Sequence, residues 1–218
     1  MNALILVDLQ NDFVPGGALA VPGGDAVVAV TNRLLAGGAV RARGASPTER
    51  LRFDLVVSTQ DWHPADHKSF AANHPGRSPG DVIDLGGLPQ VLWPVHCVQG
   101  TPGADFLPGL DRSRVERVFQ KGTDPAVDSY SGFFDNGQRK ATGLGEYLKG
   151  RGVTDVYVLG LATDYCVKFT ALDAIGLGFH VHLIEDACRG VNLRPGDVAA
   201  AVEAMRAAGV AVIRSDAQ

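Results

Sequence analysis

Cysteine is scarce in this 218-residue chain, which has three thiols at widely separated positions, Cys97, Cys166 and Cys188. An odd number at wide spacing gives neither a disulfide framework nor the paired knuckles of a structural zinc site. We therefore expect reduced thiols and a cytoplasmic protein, in which one cysteine is free to be reactive.

Long hydrophobic runs and an excess of basic residues are also missing. The apolar stretches have the length of strands, far below the ~20 residues that span a bilayer. The chain carries 24 acidic against 20 basic side chains, for a net charge of -4, and has no cluster of lysine and arginine. We expect no membrane and no nucleic acid among its partners, because the electrostatic footprint of a nucleic-acid-binding protein is lacking.

Short apolar runs alternate along the chain with segments of helical spacing. With 45% hydrophobic residues, the length suits a single domain over residues 1–218. Several strand-length runs followed by helices predict an α/β fold, a doubly wound and mostly parallel six-stranded sheet with helices on both faces. The six runs are Ala3–Val7, Leu55–Ser58, Val115–Phe119, Val156–Leu159, Val181–Ile184 and Val210–Ile213.

Two segments interrupt this alternation. Residues 37–52 are rich in glycine and arginine, lack periodicity and predict a surface loop. Residues 62–110 are rich in proline, glycine, histidine and aspartate and show little periodic pattern. Irregular segments of this length inside a compact domain are usually functional loops.

Polar residues follow four of the predicted strands. Asp8 ends the first, Asp61 and His63 follow the second, Lys121 follows the third, and Cys166 follows the fourth. Ligands of open α/β sheets bind at the carboxyl ends of the strands, so these residues are the first candidates for chemistry. Each alone is also compatible with a loop cap or a solvated charge.

Cys166 begins a predicted helix, with Thr163 or Asp164 as its N-cap. The first turn of a helix favours a thiolate, and its free N–H groups could stabilise an oxyanion. Asp8 could then take the thiol proton and pass it to a leaving amine, with a raised pKa, while Lys121 offsets the negative charges. A buried structural thiol is the alternative.

The segment Asp61-Trp62-His63 can place a carboxylate and an imidazole on one side of an extended chain. A distant histidine could complete a metal site with open water positions, since His67, His74 and His96 follow in the same loop region. Zinc, iron and manganese all accept such ligands. Histidines that bond only to the backbone of a polar loop are the alternative.

Five segments together resemble the nicotinamidases of the isochorismatase-like hydrolase superfamily. The resemblance runs from Ala3 to about Asn192 and is most specific in the motifs DWHPxxHxSF and WPxHCVQGTPGA. The segments are ALILVDLQNDFVPGGALAVPGG, STQDWHPADHKSFAANHPG, LWPVHCVQGTPGADF, FQKGTDPAVDSYSGF and VLGLATDYCVKFTALDAIGLG.

This resemblance implies an amidohydrolase that converts nicotinamide to nicotinic acid and ammonia through a cysteine thioester, and that also accepts pyrazinamide. It implies one divalent metal ion, zinc ahead of iron and manganese. It further implies a cis peptide bond before Ala162, and leaves a homo-oligomer open. The residues it implies are the triad Asp8, Lys121 and Cys166, the oxyanion donors Ala162 and Cys166, the ring-binding Phe13, Trp93 and Tyr130, and the metal ligands Asp61, His63 and His96.

Some questions stay open. His67 stands at a position that is a ligand in some members of the family and not in others. An amidohydrolase of the same superfamily acting on N-carbamoyl compounds or ureidoacrylate would keep the triad, but its substrate gives the metal ligands no evident purpose. A non-catalytic binding module of the same fold should have lost a triad residue, and this chain retains all three.

Overall fold

The computed structural model describes residues 1–41 and 52–215. Its strands are β1 (Asn2–Val7), β2 (Val40–Arg41), β3 (Leu55–Asp61), β4 (Val82–Leu85), β5 (Leu88–Val91), β6 (Arg117–Lys121), β7 (Asp155–Leu161), β8 (His180–Arg189) and β9 (Ala211–Ser215). Its α-helices are α1 (Val27–Leu35), α2 (Leu144–Gly150), α3 (Lys168–Gly176) and α4 (Asp197–Ala207).

A seven-stranded sheet organises the chain, in the order β2-β9-β8-β7-β1-β3-β6. Six of its strands pair in parallel, which confirms the predicted doubly wound α/β sheet. The seventh, β2, adds two residues antiparallel to β9 at the edge. A two-residue strand carries too few side chains to show a pattern, so the sequence did not predict it.

The central strand β1 shows why the sheet is covered on both faces. Its residues 3–7 are all fully buried. Successive side chains of a strand point to opposite faces, so a continuous buried run requires packing on each side. This explains why the strand has an uninterrupted apolar sequence instead of alternating with polar residues.

The order of the strands determines where the functional side chains meet. Strands β7, β1, β3 and β6 are parallel neighbours, with Val7 in register with Gly160 and Asp61 in register with Lys121. Their carboxyl ends therefore lie at one edge of the sheet. The chain reaches β3 on one side of β1 and β7 on the other, which creates the crevice where α/β folds bind ligands.

The region 62–110 is less irregular than expected, because it contains the two-stranded hairpin β4-β5. Gly86 and Gly87 form its turn with φ of 61° and 86°. Two central residues with positive φ are typical of the tight turns that join hairpin strands. The Gly-Gly pair indicates this turn, but only one of the eight residues in the two strands is buried and β5 contains Pro89, so the strands themselves show no core-facing pattern.

The surface loop predicted for residues 37–52 lies largely outside the described residues, which omit 42–51. Within 1–41 and 52–215, no helix has the length and apolar character needed to cross a membrane.

Gly160 is the position where the sheet tolerates no side chain. Its φ is +128°, and a Cβ there would lie 2.1 Å from the carbonyl oxygen of Val7 in the neighbouring strand. We expect Gly160→Ala to lower the free energy of unfolding by about 2–5 kcal/mol, from backbone strain and overpacking. Chemical denaturation measures this, with Gly150→Ala as the control because a Cβ at Gly150 meets nothing within 4 Å. Equal stability of the two variants would contradict this account of the β1-β7 contact.

Candidate active site

Four of the side chains predicted at strand ends lie together at the carboxyl edge of the sheet. Asp8 follows β1, Asp61 ends β3, and Lys121 ends β6. Cys166 lies in the turn that follows β7. All four are buried. The strand order alone brings them together, although 158 positions separate Asp8 from Cys166 along the chain.

The ammonium group of Lys121 joins these side chains. Its Nζ donates to Asp61 Oδ1 at 2.7 Å, to the carbonyl oxygen of Ser129 at 2.9 Å and to Cys166 Sγ at 3.4 Å. These bonds use all three hydrogens of an ammonium group. Asp8 Oδ2 lies 3.0 Å from Nζ, yet no group in the described residues donates a hydrogen bond to it. Asp8 Oδ2 therefore keeps an open lone pair, and one carboxylate oxygen of Asp8 lies within 4.8 Å of Cys166 Sγ.

Burial controls how this group of residues is charged. It raises the pKa of the Cys166 thiol well above its usual range, and the nearby Lys121 charge only partly opposes it. The expectation of a favoured thiolate is therefore wrong, because one lysine that already faces Asp8 and Asp61 does not offset a third negative charge. Burial also raises the pKa of Asp8, in the direction expected for a proton acceptor.

The Asp61 carboxyl stays ionised in the same surroundings. Burial alone would raise its pKa, but the charges of His63 and Lys121 outweigh burial and lower the pKa well below its usual range. Lys121 in turn keeps its charge: burial opposes it, while Asp61 and Asp8 raise the lysine pKa well above the ordinary value.

The turn that carries Cys166 differs from the predicted helix start. Residues Thr163–Val167 form a π-helical turn ahead of α3, and the carbonyl of Ala162 accepts the N–H groups of Tyr165 and Val167. Neither Thr163 nor Asp164 caps it, so that expectation is wrong. Asp164 instead accepts the N–H groups of residues 191 and 192. The Leu161–Ala162 peptide bond is cis, as the resemblance implied.

Asp61, His63 and His96 place their donor atoms within 4.8 Å of one another. Asp61 Oδ2 lies 3.3 Å from His63 Nε2 and 3.6 Å from His96 Nε2. The Nδ1 atoms of the two histidines face carbonyl oxygens, of Gly122 at 2.9 Å and of Pro94 at 2.8 Å. A carbonyl can only accept, so Nδ1 of each ring carries a proton, and Nε2 is the nitrogen that faces the carboxylate and can bind a metal ion once it has lost its own proton. This orientation is typical of metal-binding histidines, and the donor set fits a divalent ion.

His67 lies outside this set of donors. A ring nitrogen of His67 lies within 4.8 Å of donor atoms of His63 and Asp128. His67 does not belong to the set formed by Asp61, His63 and His96. His67 Nδ1 lies 2.7 Å from the Ser69 hydroxyl and 3.2 Å from the Ser69 backbone nitrogen. Its Nε2 is buried and has no hydrogen-bond partner in the described residues. Burial lowers its pKa to about 4.

The predicted ring-binding residues lie in the loops around this edge. Phe13 is 5.6 Å from His96 between ring centroids. The indole N–H of Trp93 donates to the Tyr130 hydroxyl at 3.2 Å, and Gln90 donates to the same hydroxyl at 3.1 Å. Tyr165 extends the group, with its ring 4.8 Å from that of Trp93. The sequence prediction had omitted Gln90 and Tyr165.

Comparison with known proteins agrees with this geometry. The profile of the isochorismatase domain matches residues 2–217. A nicotinamidase of Escherichia coli strain K12 is 51% identical over 95% of this chain and 92% of its own length. The chain is a member of the isochorismatase family.

Solved structures in the isochorismatase family have the same fold. A nicotinamidase and pyrazinamidase from Acinetobacter baumanii has a TM-score of 0.88 at 45% identity, covering 98% of this chain and 95% of that one. A pyrazinamidase from Pyrococcus horikoshii, in complex with zinc, has a TM-score of 0.72 at 39% identity, covering 98% of both chains. The isochorismatase-like architecture expected from the sequence is confirmed.

Two further polar residues support the site and were missed by the sequence prediction. Thr59 donates its hydroxyl to Asp8 Oδ1 at 2.6 Å. The Gln10 side chain bonds to both the N–H and the carbonyl of Asp61, each at 2.8 Å. Thr59 lies two positions before Asp61 and Gln10 two positions after Asp8, so a search around each strand end would have found both.

The raised pKa of Cys166 has a measurable consequence for its reactivity. We expect the rate of alkylation by iodoacetamide to rise about tenfold for each pH unit between pH 7 and 9, because the thiolate fraction grows tenfold per unit below the pKa. Mass spectrometry of the peptide containing Cys166 measures this rate. Cys188, whose pKa burial raises to about 12, serves as the internal reference. A plateau near neutral pH for Cys166 would contradict the prediction.

Proposed function

We propose that this member of the isochorismatase family hydrolyses nicotinamide to nicotinic acid and ammonia, through a thioester on Cys166. The observation that carries the proposal is the contact of Lys121 with Asp8, Asp61 and Cys166 at the carboxyl edge of the sheet. The 51% identity to the nicotinamidase of E. coli supports this choice of substrate.

The acylation step follows from the open lone pair of Asp8. Asp8 Oδ2 takes the proton of the thiol as Cys166 Sγ attacks the carboxamide carbon, and the N–H groups of Ala162 and Cys166 stabilise the oxyanion. The carbon–nitrogen bond then breaks, and the same proton passes from Asp8 to the leaving ammonia. Lys121 keeps its positive charge throughout and offsets the charge on sulfur.

Deacylation reuses the same groups. Asp8, again ionised, takes a proton from water, whose oxygen attacks the thioester carbon. The carbon–sulfur bond breaks, nicotinic acid leaves, and the proton returns to Cys166. Keeping the resting thiol neutral suits this cycle, because the proton needed by the leaving ammonia is then already in the site.

Asp61, His63 and His96 would hold one divalent ion, for which zinc is our first choice ahead of iron and manganese. When bound, the ion supplies a Lewis acid that can accept the pyridine nitrogen of the substrate and so orient the carboxamide. Phe13, Trp93 and Tyr130 would hold the ring. The zinc complex of the P. horikoshii pyrazinamidase supports this choice of metal, and we count three protein ligands because His67 lies outside the set formed by Asp61, His63 and His96.

Several finer expectations belong to the same proposal. Pyrazinamide has the same ring size and carboxamide and should be a second substrate. A cytoplasmic location agrees with three free thiols. A single domain over 1–218 and a homo-oligomer stay predictions.

Cys166→Ala tests the nucleophile. We expect turnover of nicotinamide to fall by more than about a thousandfold, because no other group can form the thioester. The free energy of unfolding should change by no more than about 1–2 kcal/mol, since a single sulfur is removed. Release of ammonia measures activity, and Cys188→Ala is the matched control, because its thiol is also buried and donates to the backbone carbonyl of Ile184. Residual activity of a few per cent in Cys166→Ala would remove Cys166 from this role.

The ring nitrogen tests the metal ligands and the choice of substrate. Benzamide has the shape of nicotinamide without the nitrogen, and stacking on the aromatic residues is worth only ~1 kcal/mol per contact for either ring. We expect kcat/KM to favour nicotinamide by more than about a hundredfold, and this preference to shrink in His96→Ala. Near-equal values for the two amides would contradict the assigned role of Asp61, His63 and His96. Faster hydrolysis of ureidoacrylate or an N-carbamoyl compound would favour the alternative amidohydrolase.

A further inference from the structure

Two loops supply ring-binding residues and a metal ligand that the strands do not provide. The loop after β1 carries Phe13, and the loop after β5 carries Trp93 and His96. In a strand, the backbone hydrogen bonds of the sheet fix the positions of the side chains. These loops need hydrogen bonds of their own to hold a ring-binding residue and a metal ligand in place. The carboxylate of Asp12 provides such a link.

Asp12 bonds to both loops. Its Oδ2 accepts the backbone N–H of Cys97 at 2.7 Å, and its Oδ1 accepts the N–H of Ala18 at 3.1 Å. Gly103 lies directly against the carboxylate, since a Cβ there would come within 2.1 Å of Oδ2. The carboxylate therefore occupies a close-fitting position between the loops.

Cys97 is the residue through which this link reaches the metal ligands. Its N–H belongs to the peptide that follows His96, and its carbonyl accepts the backbone N–H of His63 at 3.0 Å. Cys97 also has φ of +45°, a left-handed conformation that a residue with a side chain rarely adopts. The bond from Cys97 to Asp12 supports the backbone in this conformation.

We propose that Asp12 is a positioning residue, which holds Cys97 in its left-handed conformation and so places His63 and His96 for the metal ion. The inference rests on the proposed function. It assigns to Asp12 no contact with substrate or metal. Without the carboxylate, the peptide after His96 loses its acceptor, Cys97 relaxes toward negative φ, and His96 Nε2 moves away from Asp61.

The affinity for zinc tests this inference independently of catalysis. Zinc is the probe, and competition with a chromophoric chelator gives its dissociation constant for the purified full-length chain. We expect Asp12→Asn to weaken zinc binding by about 10–100-fold, because a carboxamide has one acceptor oxygen where the carboxylate accepts from both Cys97 and Ala18, and its NH2 group must face one of these N–H groups. Asp12→Glu keeps the charge but displaces the oxygens, and should also weaken binding. Asp25→Asn is the control, because Asp25 is an exposed aspartate in the 3-10 turn Gly24–Ala26.

A second substitution distinguishes positioning from general damage. Glycine adopts positive φ readily, so Cys97→Gly should recover several-fold of the zinc affinity when added to Asp12→Asn. Cys97→Gly alone is the reference against which this recovery is measured.

Two outcomes would overturn the role of Asp12: an Asp12→Asn or Asp12→Glu chain that folds and binds zinc as tightly as the parent, or a loss that Cys97→Gly does not reduce. His96→Ala separates the two hypotheses. If His96→Ala keeps the parent affinity for zinc, the assigned metal site itself fails. If only His96→Ala loses zinc, the metal site stands and the inference about Asp12 is wrong.

Discussion

The buried ammonium group of Lys121 is the interaction on which the rest of the site depends. A lysine with 2% of its surface exposed loses nearly all of its hydration, and only close opposite charges can offset that loss. Asp61 and Asp8, at 2.7 and 3.0 Å, provide them. These carboxylates would repel each other without the lysine, so each of the three charges requires the others. The strand order makes the arrangement possible, because β1, β3 and β6 end side by side.

This shared charge links the reacting groups to the metal ligands. Asp61 uses Oδ1 for Lys121 and Oδ2 for the two histidines, so a single carboxylate belongs to both groups. The residue after Lys121 adds a second link, since the Gly122 carbonyl accepts from His63 Nδ1. A change in charge at the metal ligands must therefore affect Lys121, and through it Asp8 and Cys166. The two parts of the site form one electrostatic unit.

The sequence predicted most of what the parallel sheet determines. Apolar runs identified the six parallel strands, and the rule that ligands bind at their carboxyl ends selected Asp8, Asp61, Lys121 and Cys166. The sequence did not predict features of the site that depend on contacts between distant chain segments. The pKa of Cys166 follows from how deeply the assembled fold buries it, so a local argument about a helix start gave the opposite direction. The Asp164 side chain accepts from residues 191 and 192, and Asp12 accepts from Cys97. A local sequence pattern contains neither of these contacts, because the partners are far apart along the chain.

The same distinction shows which parts of the site are rigid. Asp61 and Lys121 lie in register on paired strands, so their contact moves only if the sheet does. His96, Phe13 and Trp93 come from loops. Their positions depend on individual hydrogen bonds, such as those that Asp12 and Tyr130 accept from Cys97 and Trp93. A loop tolerates changes in sequence that a central strand does not, so substitutions in these loops would alter ring binding and metal ligation at less cost to the sheet than substitutions in the strands. His67 also lies in such a loop, where its ring contacts Ser69, Phe70 and His63. Substitution of the loop residues around His67 would therefore change the surroundings of its ring without disturbing the contact of Lys121 with Asp61, which the paired strands hold in register.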